Sequence, residues 1–458
     1  MSKQYDALVI GSGTAGQTAA YELNRQGLTV GMVEHSQQPG GTCALRGCQA
    51  KKWFYEGVET VARSRHLSGI GITSPAFASW VELRDAKNRF TKRVPDKTVN
   101  GLNKVGIDFI RGRARFTDRR SISVLHQQLS ARFIVVATGA VPMQLPIDGA
   151  QHMVTSTEFM ELDRLPRRIV FIGGGFISFE FAHFAVRLGP TDTRCTILEA
   201  GSRPLGHFDQ EMVDLLAEAS ASEGIDIHCD VDITAIEKTD GGFIVTTKDG
   251  HRFESDLVVH GAGRSADIQD LNLEKASVEG TQRGIAVDEK MATTNPHIYA
   301  VGDCAATVQL ARVADAEAQV AAADIFGRVS GDRQKHSMDY TAVPSVLFTY
   351  PQCGMVGATE NTLEEKGVAY RKSFDKDLNW PTYRRVGMES AAYKLLAGED
   401  GRLLGAHVLS DNATGLINTF TLAMVNRISV DDLYRQSTMA PYPSRESDII
   451  YMLKPLIA

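Results

Sequence analysis

The sequence predicts an α/β protein in which a strand–glycine turn–helix–strand unit occurs twice and a smaller α+β domain follows. The first unit consists of the apolar strand YDALVIGSG, the helix TAGQTAAYELNRQG and the strand LTVGMVEHS. The second consists of RRIVFIGGGFISFEFAHFAVRLG and TRCTILEAG. After about residue 340 the alternation ends, and the segments AVPSVLFTYPQCGMVGAT, AAYKLLAGEDGRLLGAHVL and TGLINTFTLAMVN predict a separate domain of strands and helices.

The bulk composition is that of a globular protein with several domains. The chain has 458 residues, of which 43% are hydrophobic and 23% charged, and its net charge is −6. This charge does not favour a nucleic-acid or anionic-membrane partner. No apolar run approaches the roughly 20 residues of a membrane span, and MSKQYDALVIGSG does not resemble a leader, so we expect a cytoplasmic protein without a membrane partner.

The first glycine turn predicts a dinucleotide site. Gly11, Gly13 and Gly16 have the spacing G-x-G-x-x-G between a strand and a helix, and Glu34 ends the second strand. Glycines at these positions let the backbone approach a pyrophosphate at the helix N-terminus, and the acid can bind a ribose hydroxyl.

The second glycine turn predicts another such site. Gly173 and Gly175 are followed by Ser178, a small residue in place of the third glycine, and Glu199 ends the next strand. The chain therefore binds two dinucleotides, or uses one turn and retains a vestigial one. The further strand–turn segments FIVVATGAVP, DLVVHGAGRSAD and NPHIYAVGDCA favour two.

The segment GGTCALRGCQAKK places Cys43 and Cys48 five residues apart in a chain with six cysteines. A disulfide, a metal site and coincidence are the three explanations of this pair. In the cytoplasm a close cysteine pair is more often catalytic or metal-binding than structural.

Together the first turn, GGTCALRGC, ATG, GGGFISFEF, GAGR, YAVGDCA and the C-terminal segment resemble the FAD-dependent pyridine nucleotide–disulfide oxidoreductases. That family includes glutathione reductase, dihydrolipoamide dehydrogenase and mercuric reductase. The resemblance implies an α/β fold with two Rossmann-like dinucleotide-binding domains, for FAD and NAD(P), plus a C-terminal α+β dimerisation domain that forms a homodimer. The implied boundaries are 1–147 and 266–338 for the FAD domain, 148–265 for the NAD(P) domain and 339–458 for the dimerisation domain.

The resemblance also assigns cofactor contacts. Those implied for FAD are Gly11, Gly13, Gly16, Glu34, Gly41, Thr42, Ala114, Thr138, Gly139, Gly263 and Asp303, the last at the ribityl chain. Those implied for the nicotinamide cofactor are Gly173, Gly175, Glu180 and Glu199. Lys51 is implied to pair with Glu180 near the flavin ring. NADH is the expected donor because Glu199 would repel a 2′-phosphate, with NADPH as the alternative.

In this family the cysteine pair is a redox-active disulfide. An ideal helix separates Cα atoms five residues apart by roughly 8.6 Å, whereas a disulfide needs less than about 7 Å. A Cys43–Cys48 bridge therefore requires a distorted helix, and Gly47 lowers the cost of that distortion. The resemblance implies that Cys48 faces the flavin and that Cys43 is the outer thiol that attacks substrate. A zinc site is disfavoured by the spacing.

The C-terminus departs from the disulfide reductases, which carry a His-Pro-Thr motif that supplies an acid–base histidine to the partner subunit. Here Tyr442 aligns with the histidine, and Ser447 stands where a glutamate belongs, with Glu446 one residue away. A tyrosine, with an ordinary pKa near 10, is poorly matched to acid–base catalysis at neutral pH. Mercuric reductases also have tyrosine at this place, but this chain lacks their C-terminal cysteine pair.

We therefore expect an NAD(P)H-dependent FAD oxidoreductase that passes electrons through the Cys43–Cys48 disulfide to an acceptor. The acceptor is a small-molecule or protein disulfide, or another oxidant that needs no histidine. Three alternatives are a metal-ion reductase that uses the two thiols as soft ligands, an enzyme like dihydrolipoamide dehydrogenase, and a non-catalytic FAD-binding interaction protein.

Overall fold

The computed structural model describes residues 4–332 and 336–457, which form two compact units. Unit 1 comprises the described residues of Met1–Trp53, Arg84–Gln144 and Gly263–Asp339. Unit 2 comprises those of Phe54–Leu83, Leu145–Ala262 and Tyr340–Ala458. The four domain segments implied by the sequence remain a prediction.

The helices and strands follow the alternation that the sequence predicts. The strands are β1 (Gln4–Ile10), β2 (Val30–Glu34), β3 (Asp108–Arg111), β4 (Ala114–Asp118), β5 (Ser121–Val124), β6 (Gln127–Val136), β7 (Ala140–Pro142), β8 (Arg168–Ile172), β9 (Arg194–Leu198), β10 (Ile225–His228), β11 (Ile233–Thr239), β12 (Gly242–Thr247), β13 (Arg252–Ser255), β14 (Leu257–His260), β15 (Arg264–Ala266), β16 (Gly280–Thr281), β17 (Gly284–Ile285), β18 (Ile298–Ala300), β19 (Ser345–Leu347), β20 (Gln352–Gly357), β21 (Arg371–Asp375), β22 (Ala392–Ala397) and β23 (Leu403–Ser410). The helices are α1 (Thr14–Arg25), α2 (Gly41–Arg46), α3 (Cys48–His66), α4 (Trp80–Thr91), α5 (Val94–Lys104), α6 (Ser156–Phe159), α7 (Phe176–Leu188), α8 (Gln210–Ser222), α9 (Ala311–Ser330), α10 (Glu360–Glu365), α11 (Pro381–Arg384), α12 (Ala413–Val425), α13 (Val430–Ser437) and α14 (Ile449–Leu453).

Unit 1 is built on a sheet in the order β3-β2-β1-β6-β5-β4, with β18 also paired to β6. Strands β1, β2, β3, β6 and β18 are parallel. The apolar run Leu8–Ile10 is buried because a parallel sheet is covered on both faces. Helices α1 and α9 pack together. Both helices contribute to one apolar cluster, α1 through Ala19 and Leu23 and α9 through Ala318 and Ala322.

Unit 2 contains a second parallel sheet, in the order β10-β9-β8-β14, and an antiparallel sheet of β11, β12 and β13. Strand β8 leads into α7 through the second glycine turn. Every residue of α7 from Ser178 to Leu188 is buried, and the buried residues include the polar side chains of Glu180, His183 and Arg187.

The C-terminal part of unit 2 is a five-stranded antiparallel sheet in the order β19-β20-β23-β22-β21. Helix α12 packs on β20 and β23, and its residues Leu416, Ile417 and Phe420 enter the core. The predicted α/β class, with a parallel sheet in each unit and a C-terminal domain of strands and helices, is confirmed. In the described residues, no helix has both the length and the apolar character needed to cross a bilayer.

Candidate active site

The first glycine turn provides a backbone surface open to an anion. Gly41 has a φ of 76°, and a Cβ there would lie 2.3 Å from the Cα of Gly13, so these backbones approach as only glycine permits. A Cβ on Gly13 would meet its nearest neighbour, the Cα of Gly41, at 3.8 Å, so the space beside this residue is only loosely filled. Gly13 precedes α1, whose first amide groups can therefore receive a phosphate.

Glu34 lies beside this turn at the end of β2. Its Oε2 accepts hydrogen bonds from the Ser12 amide (2.9 Å) and hydroxyl (2.6 Å), and its Oε1 accepts one from the Ser36 amide (2.7 Å). These bonds fix the carboxylate where β2 ends. Ser12 was not singled out from the sequence, although it stands inside the G-x-G motif.

The other residues implied for FAD also lie in unit 1. Ala114 begins β4 and is 3% exposed, and Thr138 and Gly139 lie between β6 and β7. Asp303 lies in a short 3₁₀ helix after β18. Burial raises the pKa of Asp303, and the guanidinium of Arg264 opposes that rise. Arg264 follows Gly263 in the GAGR motif, and only the fold brings its charge near Asp303.

The cysteine pair lies across a break between two helices. Cys43 is on α2, which ends at Arg46, and Cys48 begins α3. Gly47 separates the helices, and a Cβ on Gly47 would lie 3.0 Å from the Thr42 carbonyl oxygen. The distortion expected from the disulfide geometry is therefore present at the expected residue. Both cysteines are free thiols in the structure, with Cys48 the more exposed.

The two thiols differ in their tendency to ionise because they share a hydrogen bond. The Cys43 thiol, donating to Cys48, is the largest cause that lowers the pKa of Cys48 to about 6, and it acts against burial. The charges of Lys51 and Lys52 lower this pKa further. The same hydrogen bond, with burial, raises the pKa of Cys43, and Asp315 contributes in that direction. These influences favour the thiolate at Cys48 rather than at Cys43.

Lys51 is placed one turn along α3 from Cys48, and its amide donates to the Gly47 carbonyl oxygen at 2.9 Å. Glu180 belongs to unit 2, on α7, and is 2% exposed. Its Oε1 accepts a hydrogen bond from the Phe348 amide at 3.2 Å. The implied pairing of Lys51 with Glu180 remains a prediction.

The second glycine turn has the same construction as the first. Gly173 has a φ of 96°, and a Cβ there would lie 2.4 Å from the Cα of Ala262. Gly175 precedes α7 and has only one neighbour within 4 Å of a Cβ position, at 3.4 Å. Glu199 directly follows β9, and its carboxylate accepts hydrogen bonds from the amides of Gly174 and Gly201. Both turns therefore fit a dinucleotide, with an acid beside each.

Tyr442 lies on a loop before α14 and is 79% exposed. The loop is held by its neighbours. Ser444 and Ser447 each donate a backbone amide to the other's hydroxyl, at 3.0 Å and 3.1 Å. The buried Arg445 pairs with Asp411 at 2.7 Å. Tyr442 is therefore an exposed side chain on an anchored loop.

Fold and site define a class of protein with two dinucleotide-binding turns and a close dithiol. The family model for pyridine nucleotide–disulphide oxidoreductases matches residues 5–318, and the model of that family's dimerisation domain matches residues 343–449. The chain belongs to this family. It is a flavin-dependent pyridine nucleotide–disulfide oxidoreductase that uses FAD and NAD(P)H.

Individual relatives cover almost the whole chain. Mercuric reductase of Staphylococcus aureus is 31% identical over 96% of this chain and 80% of its own. Glutathione reductase of Schizosaccharomyces pombe is 28% identical over 99% of each chain. The HOCl-induced flavoprotein disulfide reductase RclA of Escherichia coli has a similar structure, with a TM-score of 0.86 and 25% identity over 98% of this chain and 99% of its own. RclA has also been solved as a Cu(II) complex, to which this chain is similar with a TM-score of 0.87 and 25% identity over 99% of each chain.

Proposed function

We propose that this enzyme uses NADH to reduce a disulfide, or another acceptor that needs no histidine, through the Cys43–Cys48 pair. The observation that carries the proposal is the pair of thiols, Cys43 and Cys48, on either side of the helix break at Gly47, with ionisation favoured at Cys48. A dithiol of this kind can hold two electrons and release them by thiol–disulfide exchange.

The residues of unit 1 would bind and orient FAD. The first glycine turn and the start of α1 would receive the pyrophosphate, Glu34 the ribose, and Asp303 the ribityl chain, with Ala114, Thr138 and Gly263 as further contacts. When bound, FAD would accept a hydride from the nicotinamide and pass the electron pair to a disulfide. In unit 2, Gly173, Gly175, Glu180 and Glu199 would bind the nicotinamide cofactor.

The acceptor step is a pair of thiol exchanges. The sulfur of Cys43 loses its proton and attacks the acceptor disulfide, so that one thiolate leaves and takes up a proton. The Cys48 thiolate then attacks the Cys43 sulfur, re-forms the internal disulfide and releases the second thiol. The overall balance is NADH + H⁺ + RSSR → NAD⁺ + 2 RSH. Because the pKa of Cys43 is raised, the first attack needs a proton acceptor.

We propose that the enzyme is a cytoplasmic homodimer and that Tyr442 reaches the Cys43 of the partner subunit. Support comes from the dimerisation-domain match and from the exposure of Tyr442 on its anchored loop. A cytoplasmic location suits an enzyme whose dithiol must return to the reduced form.

Reduction of a soft metal ion is the second candidate. It is favoured by a tyrosine, not a histidine, at position 442 and by two adjacent thiols that can act as soft ligands. Relatives include one named mercuric reductase and one solved with Cu(II). The balance would be Hg(II) + NADH → Hg(0) + NAD⁺ + H⁺, or the same with two Cu(II) reduced to two Cu(I).

The test is steady-state NADH oxidation by the FAD-loaded enzyme with oxidised lipoamide, glutathione disulfide, Hg(II), Cu(II) and quinones. We expect turnover with at least one thiol-reactive acceptor, and its loss in Cys43→Ser and in Cys48→Ser. Cys195→Ser, at a fully buried cysteine in unit 2, is the matched control. Turnover that survives both active-pair substitutions would overturn the proposal.

A further inference from the structure

Helix α7 carries a buried cation, Arg187, that takes no part in the proposed electron transfer. The side chain of Arg187 is 0% exposed. It follows Glu180 by seven residues, so both side chains lie on the same face of the helix. A guanidinium removed from water is costly unless its donors are satisfied, and this raises the question of what Arg187 holds.

The guanidinium of Arg187 joins three segments of unit 2. Nη2 donates to the Tyr350 carbonyl oxygen at 3.0 Å and pairs with Glu223 at 2.9 Å. Nη1 contacts His183 Nδ1 at 2.7 Å. Burial, and then the charge of Arg187, lower the pKa of His183 well below its ordinary value. His183 is therefore neutral and accepts at Nδ1, while its Nε2 donates to the Ser220 hydroxyl at 3.0 Å.

Tyr350 belongs to the turn between β19 and β20, which is also held from its other side. The hydroxyl of Tyr55 donates to the Thr349 carbonyl oxygen at 3.4 Å and receives a hydrogen bond from Gln352 Nε2 at 2.9 Å. The Tyr55 ring meets the Phe348 ring edge-on, with 5.4 Å between centroids. The turn is thus fixed between Arg187 and Tyr55.

The first residue of the same turn, Phe348, is hydrogen-bonded to Glu180. The amide of Phe348 donates to Glu180 Oε1 at 3.2 Å, two residues before the carbonyl group that Arg187 binds. A continuous series of hydrogen bonds and peptide units therefore runs from Arg187 through Tyr350 and Phe348 back to Glu180, on the helix where it began.

We propose that Arg187 is a positioning residue that fixes the carboxylate of Glu180 through the Phe348–Pro351 turn. The inference rests on the proposed function, in which Glu180 serves the transfer of electrons from the nicotinamide. A displacement of about 1 Å at a reacting group can cost on the order of 10²-fold in rate. Loss of Arg187 should therefore slow the reduction of the flavin by NADH in enzyme that is still folded.

The test is Arg187→Met in the full-length, FAD-loaded enzyme, with flavin reduction by NADH followed by stopped-flow absorbance. We expect a rate about 10- to 100-fold lower, and an unchanged absorption spectrum after chemical reduction by dithionite. Tyr55→Phe removes the anchor on the other side of the turn without changing a charge, and we expect it to lower the same rate to a smaller extent. Wild-type reduction rates in both variants would overturn the inference.

Lys394→Met is the matched control, because Lys394 is another buried cation of unit 2, 1% exposed and paired with Asp209, Glu211 and Glu360. We expect it to lower the melting temperature and to leave the rate of flavin reduction unchanged. An equal loss of rate in Lys394→Met would show a general structural effect and would overturn the role of Arg187.

A double-variant cycle separates positioning from general damage. If Arg187 acts through Glu180, Arg187→Met should change little in a Glu180→Gln background, whereas independent effects would multiply. Multiplied effects, or a wild-type rate in Glu180→Gln beside a slow Arg187→Met, would overturn the inference. The proposed function would fail separately, if the acceptor turnover of the unmodified enzyme did not depend on Cys43 and Cys48.

Discussion

The side-chain amide of Asn412 donates a hydrogen bond of 2.8 Å to Oε1 of Glu446. Asn412 is the residue that precedes α12, and its own Oδ1 accepts the Gly415 amide at 3.3 Å. The Glu446 carboxylate is thus held at the start of α12, where the positive end of the helix dipole stabilises it. Glu446 lies one residue from the position where the family carries its glutamate, but this hydrogen bond commits its carboxylate to the helix cap.

Glutathione disulfide should be a poor substrate because its leaving thiol lacks a proton donor of suitable pKa. Loss of a positioned acid–base group typically costs about 10²- to 10⁴-fold. We expect turnover lower by about that factor than the roughly 10² per second of a fast dedicated enzyme. Tyr442→His should raise it only in part, and Glu446→Gln should leave it unchanged. Rapid turnover by the unmodified enzyme would contradict this prediction.

Ser447→Glu should destabilise the enzyme rather than restore an acid–base pair. Ser447 is 6% exposed, and its hydroxyl donates to the Ser444 carbonyl oxygen at 2.7 Å. A larger, charged side chain would lose these bonds and become buried, at a cost of about 1–3 kcal/mol. The free energy of unfolding in urea measures this cost. Ser444→Ala, which loses one hydroxyl without adding volume or charge, is the control and should cost less.

The thiolate of Cys48 should depend on the hydrogen bond from Cys43. Because the pKa of Cys48 is lowered to about 6, its thiolate should form as pH rises through that value and persist at neutral pH. Cys43→Ala removes the donor and should raise the pKa of Cys48 toward the ordinary thiol value, whereas Cys43→Ser retains an O–H donor and should raise it less. The pH dependence of the alkylation rate of Cys48 by iodoacetamide measures both, and equal pKa values in the two variants would contradict the argument.

Two-electron reduction of the FAD-loaded enzyme should produce a long-wavelength absorption band from the Cys48 thiolate beside the flavin. Cys48→Ser should abolish the band, because a serine hydroxyl does not ionise at neutral pH. Cys43→Ser should keep the band and block reduction of the acceptor. Anaerobic titration with dithionite tests both variants. If the band survives in Cys48→Ser, the assignment of the inner cysteine is wrong.

NADH should give a higher kcat/KM than NADPH. The carboxylate of Glu199 is fixed beside the second turn by the Gly174 and Gly201 amides, where it would bind the ribose diol and repel a 2′-phosphate. Arg203, the cation four residues on, already donates through Nη2 to the carbonyl oxygens of Gly206 and Phe208. Glu199→Gln should narrow the preference by removing the repulsion. A higher kcat/KM with NADPH in the unmodified enzyme would overturn this prediction.

Local motifs predict much of the fold because the residues of each motif require a particular local backbone geometry. The G-x-G-x-x-G spacing predicted the turn from β1 into α1 and the placement of Glu34, which ends β2. Gly47 predicted the break between the cysteines because a straight helix cannot bring them together. These features depend on a few adjacent residues, so a single sequence is enough to reveal them.

Contacts between distant segments could not be predicted in this way. Arg187 and Tyr350 are separated by 163 residues, and the apolar sequence around α7 gives no indication of the carbonyl oxygen that this cation binds. The hydrogen bond between Glu446 and Asn412 likewise depends on how α12 packs on its sheet. Such pairs are determined by tertiary packing, and local sequence patterns do not report it.

The loop that carries Tyr442 has a consequence for how this enzyme could change its chemistry. Its anchors, Ser444, Arg445 and Ser447, all follow Tyr442, and the Tyr442 side chain is not among them. The stability of the loop therefore depends little on which residue stands at position 442. Under the role proposed for Tyr442, a substitution at this position would exchange the group presented to the acceptor while the scaffold remains intact, so acceptor preference would diverge in one mutational step.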